Sequence, residues 1–274
     1  MRATWMVLLV ACLASTSFAQ EAVKVDAHAL ADRSALVVVM CEDGGKSPTG
    51  RLMDRAGKAL LEPFVKQYYS RRAWLTSDAA TTDAFLGAVR DAAKEKDIVD
   101  CLLFLHGSAD KSWFADGPLA SAAMVAGLKG RGGEKLRMVY TTACYSDTVL
   151  AAWTEVGTWA VRGMKGENRP LDFPRFWLGW IQGEDYAKAN ARAFATNEAL
   201  HGLANDLRPR LTVALARLEK RLAGGADGKP SALAGLAAKA RTRWFAETWD
   251  IEESRPKVVG GEARIDRTKP AASR

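Results

Sequence analysis

Apolar residues fall into short, unbroken runs separated by stretches with helical spacing. Ser34-Ala-Leu-Val-Val-Val-Met40 has no polar alternation, the pattern of a strand covered on both faces. Ile98-Val-Asp-Cys-Leu-Leu-Phe-Leu105 and Leu136-Arg-Met-Val-Tyr-Thr-Thr142 repeat it, and shorter strands are predicted at Arg72–Leu75 and Thr158–Arg162. Between them, Leu52–Tyr69 carries apolar residues at helical intervals. A second helix, capped at Thr81 or Thr82, places Phe85, Leu86, Val89 and Ala92 on one face. Pro118–Lys129 and Ser146–Glu155 also read as helices. Strand, crossover and strand in this succession predict an α/β fold: a doubly wound, mostly parallel sheet with flanking helices.

From Gly183 the pattern becomes helical, with helices predicted over Tyr186–His201, Leu211–Leu222 and Ala232–Trp249, the last after a GGADGKPS break. The predicted organisation is an α/β domain over 34–202 and a helical C-terminal extension over 203–250. A basic tail over 254–274 has no apolar periodicity and reads as disordered.

The N-terminus changes the picture of compartment. MRATWMVLLVACLASTSFAQ has one basic residue, an apolar core and small residues before Gln20. It reads as a signal peptide over 1–19, cut after Ala19, which predicts an exported protein, periplasmic or secreted. The competing reading is a lipid anchor at Cys12. No later run is long enough for a transmembrane helix. Of four cysteines, Cys12 leaves with the signal, and Cys41, Cys101 and Cys144 remain, an odd number in an oxidising compartment. Cys41 ends the first strand whereas Cys101 starts the His-Gly strand, so a bridge between them is not expected.

Charge is uneven. Residues 203–274 hold 15 Lys and Arg against 9 Asp and Glu, which accounts for most of the net +7. This reads either as a solvated helical face or as a surface for nucleic acid, an anionic envelope or acidic partners, and no specific nucleic-acid motif accompanies it.

The candidate chemistry sits at two strand ends: Leu102-Leu-Phe-Leu-His-Gly-Ser-Ala-Asp110 and Arg137-Met-Val-Tyr-Thr-Thr-Ala-Cys-Tyr-Ser-Asp147. Parallel strands deliver His106 and Cys144 to one rim, where ligands of open α/β sheets bind. This arrangement resembles the clan of cysteine peptidases that includes caspases, metacaspases, legumain and gingipains. The resemblance implies a caspase-hemoglobinase-like fold and an endopeptidase acting through a Cys144–His106 dyad and a thioester acyl-enzyme. It also implies an oxyanion hole from the backbone amides of Gly107 and Cys144, a peptide or protein substrate, and no cofactor. Thr142 stands where many relatives carry a specificity residue, so that guide is missing.

Other assignments have two open readings each. Glu42 or Asp43 either orients the histidine or belongs to a solvated loop. Asp147 either meets a substrate charge or sits at a helix start. Trp177 and Trp180, in Phe173-Pro-Arg-Phe-Trp-Leu-Gly-Trp180, either line a substrate pocket or cover the core. Aromatic Trp113-Phe114 follows the His-Gly strand. With His28, His106 and His201 the only histidines and no Cys-x-x-Cys, no metal site is read. An α/β-hydrolase with Thr142–Ser146 as a nucleophile elbow would need His201 as base, from inside a helix. The non-enzymatic alternative is a catalytically silent caspase-like module that binds or scaffolds at the cell envelope.

Overall fold

A computed structural model describes residues 25–41, 43–44, 46–166, 172–223 and 251–267. The segment expected as a signal peptide, Cys12 with its lipid-anchor alternative, the predicted helix over 232–249 and Glu42 lie outside the described residues.

The runs beginning at Ser34, Ile98 and Leu136 are each strands. Ser34–Cys41 (β1) is buried throughout and pairs in parallel with Arg71–Thr76 (β2) on one side and Ile98–Gly107 (β3) on the other. β3 pairs in parallel with Leu136–Thr141 (β6), and β6 with Ala160–Met164 (β7). The order is β2-β1-β3-β6-β7-β8, with β8, Pro256–Val259, antiparallel to β7. Strand order reverses between β1 and β3, and His106 stands at the carboxyl end of β3 beside that switch point.

Helices cover both faces. Thr82–Glu95 (α3), Ser121–Ala126 (α4) and Leu150–Glu155 (α5) pack on one side over Val37, Val39, Cys101, Leu103 and Val139. Ala27–Arg33 (α1), Pro48–Val65 (α2), Phe173–Ile181 (α6) and the start of Tyr186–Ala223 (α7) cover Leu36, Val38, Leu102, Met138 and Tyr140 on the other. Neighbouring residues of a strand therefore enter different cores, which is why β1 and β3 carry no polar alternation. The α3 cap is Thr81, whose side chain accepts from Ala84 N at 3.2 Å.

Several boundaries differ from the sequence expectation. The region expected as one helix from Pro118 instead completes a β-hairpin of Lys111–Phe114 (β4) and Gly117–Ala120 (β5), and only Ser121–Ala126 is helical. Pro118 is tolerated because β5 pairs on one side only. The two helices expected around Gly202–Arg210 are one, α7, continuous through Pro209.

The segment after Ser254 corrects the expectation of a disordered tail as far as residue 267. Beyond β8, Ala263 and Ile265 are fully buried, Tyr186 N donates to Ala263 O, and Trp159 Nε1 donates to Glu262. Its few apolar residues show no period of their own, and its order comes from the sheet edge it closes.

Two charged pairs are buried in the helix-covered core. Arg137 meets Asp100, with Nε to Oδ1 at 3.1 Å, and Tyr69 donates to the same carboxylate at 2.6 Å. Arg162 meets Asp172 at 3.3 Å and Asn190 at 3.1 Å, and lies over the Tyr140 ring. Among the described residues, no helix is long and apolar enough to cross a membrane.

Candidate active site

β3 is two residues longer than its pairing with β1, whose last partner is Cys41 opposite Leu105. The projecting His106-Gly107 pairs instead with β4, His106 opposite Trp113 and Gly107 opposite Ser112. The hairpin closes through Ser108 and Lys111, which exchange both backbone bonds at 2.9 and 3.4 Å. Antiparallel ladders alternate, so the next pair, Gly107 with Ser112, turns its amides outward. The Gly107 N–H therefore faces away from β4, toward the end of β6.

That end is held by Thr142. Its N–H donates to Leu103 O at 2.9 Å and its Oγ1 accepts from Leu105 N at 3.1 Å, so one buried side chain ties the last turn of β6 to the strand that carries His106. Ala143 N donates to Thr141 Oγ1 at 3.1 Å. A Cβ added at Gly107 would lie 2.8 Å from Ala143 Cβ and 2.9 Å from Cys144 O. The His-Gly and Ala-Cys motifs are thus in direct contact, and the small residues in both allow it. His106 is exposed at this rim and Cys144 is half-buried.

Past Cys144 the chain turns sharply. Tyr145 has φ of 56°, one of two positive values at non-glycine residues in the described chain, and its N–H donates to Gly166 O at 3.0 Å. Ser146 Oγ accepts from Met164 N at 3.1 Å, which pins the turn to β7. A Cβ at Gly163 would lie 2.7 Å from Asp147 Cα, so β7 also needs a glycine where the turn crosses it. Thr148 Oγ1 donates to Ala109 O and joins this turn to the hairpin tip.

The remaining predicted residues separate. Asp147 lies at the rim, but its carboxylate pairs with Lys257 of β8. Asp43 accepts from Ser47 N at 3.1 Å and from Ser47 Oγ at the start of α2. Trp177 and Trp180 correct the pocket reading: both are core. Trp177 lies 6.2 Å from Tyr69 and 6.1 Å from Phe173 by ring centroids, and Trp180 lies 5.8 Å from Tyr186. The helix that carries them is apolar almost all round, so its sequence does not show which residues face the sheet.

Cys41 and Cys101 are buried free thiols. Val37 is the partner of Cys101 and Cys41 that of Leu105, four positions along, roughly 13 Å at strand rise. Burial, reinforced by the charge of Asp54, pushes the Cys41 thiol up to about 12, and burial raises Cys101 well above the ordinary thiol range. His28 is exposed beside Asp32, and the His201 ring stands beside Asn205 in α7. No cluster of three metal-ligating side chains exists among the described residues.

Sequence reasoning missed Thr142 as the tie between the two strand ends and Trp113 as the partner of His106. A threonine two residues before the cysteine carries no signal of its role until the neighbouring strand is known. No family model matches the chain, and no curated protein matches it.

Proposed function

We propose that the chain is an exported cysteine endopeptidase of the caspase-like type, with Cys144 as nucleophile and His106 as its acid–base partner. The observation that carries this reading is the contact of Gly107 with Ala143 and Cys144 at the carboxyl ends of adjacent parallel strands. It joins one half-buried thiol, one imidazole and one outward-facing amide on a single rim, and Cys41 and Cys101 are buried and held as thiols.

In the proposed cycle the Cys144 thiolate attacks the scissile carbonyl and a tetrahedral oxyanion forms. The Gly107 and Cys144 amides stabilise it. Collapse breaks the C–N bond, and imidazolium His106 gives its proton to the departing amine. Water, deprotonated by His106, then attacks the thioester, and the acid leaves with Cys144 restored. The turn geometry favours this arrangement over a hydrolase elbow. The strained residue is Tyr145 rather than the nucleophile, and the imidazole on the rim comes from the preceding strand rather than from a later one.

The test uses mature protein under reducing conditions with a fluorogenic peptide mixture. Cys144→Ala and His106→Ala are each expected to lower turnover by at least about 1000-fold, without loss of fold by circular dichroism. Unchanged turnover in Cys144→Ala overturns the mechanism.

A further inference from the structure

Trp113 is 47% exposed, although its neighbours Ser112 and Phe114 are buried at 6% and 1%. The alternation is that of a strand with one covered face, and Trp113 is on the open one. It directly opposes His106 in the ladder, so the indole and the imidazole stand on the same face about 5 Å apart at Cβ. A lone exposed aromatic is unremarkable in itself. This one adjoins the candidate acid–base residue, on a hairpin tied through Thr148 to the turn after Cys144.

The order across the rim gives the indole a direction. β4 extends the sheet on the β1 and β2 side of β3, since Ala115 N donates to Ala80 O at 2.9 Å and Gly44 lies near Phe114 O. Cys144 lies on the opposite, β6 side. His106 therefore stands between Cys144 and Trp113. A peptide with its scissile carbonyl at Cys144 has its leaving nitrogen at His106, and its next residue continues toward β4, about one strand spacing further on.

We propose that Trp113 is the binding surface for the side chain that follows the scissile bond, and that it selects large apolar or aromatic residues there. The proposal rests on the peptidase reading. Covering an indole with an apolar side chain removes nonpolar surface from water, and stacking adds to that for aromatic rings. Glycine or an acidic residue at the same place leaves the indole exposed or dehydrates a charge against it.

The experiment reads new N-termini by mass spectrometry after digestion of a peptide library, alongside turnover of a methyl ester carrying the preferred acyl sequence and no residue beyond it. Wild type is expected to enrich Phe, Tyr, Trp, Leu and Met over Gly and Asp at the new N-terminus by about 10-fold or more. Trp113→Ala is expected to flatten that profile with ester turnover within about twofold of wild type, and Trp113→Phe to retain most of it. A flat wild-type profile, or an unchanged profile in Trp113→Ala, with ester turnover intact, overturns this proposal alone. Absence of Cys144-dependent turnover on peptide and ester alike overturns the peptidase reading and this one with it.

Discussion

Gly107 is where spacing between the two motifs can be tested directly. Its φ lies outside the left-handed region, so glycine is required there by space alone. In Gly107→Ala the new methyl would lie 2.8 Å from Ala143 Cβ, 2.9 Å from Cys144 O and 3.3 Å from Ala143 Cα. Ordinary contact begins near 3.4 Å, so the strand ends must part by about 0.6 Å. Thr142 resists that separation through its bonds to Leu103 and Leu105. Overpacking of this kind costs about 1–3 kcal/mol, which lowers the melting temperature by roughly 2–12 °C in a chain of this size. On the proposed peptidase reading, a displacement of that size between Cys144 and His106 is expected to lower kcat/KM by about 10- to 100-fold. The assays are thermal unfolding by circular dichroism and hydrolysis of a fluorogenic peptide. Adding Ala143→Gly removes the closest clash and is expected to recover part of both losses, whereas the contact with Cys144 O persists. Wild-type melting and turnover in Gly107→Ala would refute the claim that the two motifs are in contact.

Three further outcomes follow from the buried groups. Asp100→Asn leaves the Arg137 guanidinium buried without its carboxylate, and is expected to cost about 3–5 kcal/mol in urea unfolding. A loss below about 1 kcal/mol would show that water reaches the pair. A thiol reagent at neutral pH is expected to add once to the native mature protein, at Cys144, and three times after denaturation, counted by intact mass; a native adduct at Cys41 or Cys101 contradicts the burial assigned to them. The Cys41 thiol is raised to about 12 from an ordinary 9.0, so above pH 9 the folded chain holds a proton that the unfolded chain loses. Stability is therefore expected to fall as pH rises from about 9 toward 12, and Cys41→Ala, whatever its own packing cost, to reduce that slope, with the part contributed by the similarly raised Cys101 remaining.

Much of the frame is legible because strands covered on both faces need predominantly apolar runs without polar alternation, and β1, β3 and β6 each supply one, broken only by the paired Asp100 and Arg137. The crossover helices between them announce themselves by spacing and caps. Legibility fails where the deciding partner is remote in sequence. The β4–β5 hairpin holds too few residues for a period and depends on the free end of β3. β8 depends on the open edge of β7, and its four residues alternate only between half-buried and exposed. Trp177 and Trp180 lie on a helix with no polar face, so orientation toward the sheet is settled by packing against Tyr69 and Tyr186.

For the candidate site, sequence alone singled out His106 and Cys144 as candidates and placed them at or just past the ends of predicted parallel strands, because strand periodicity is local. That β3 and β6 are neighbours, that Thr142 joins them, that Asp147 is taken by Lys257 and that Trp113 stands beside His106 are tertiary facts. Each is set by which strand pairs with which. Pairing is chosen by the burial of whole faces, a quantity that belongs to the folded chain and to no single stretch of it.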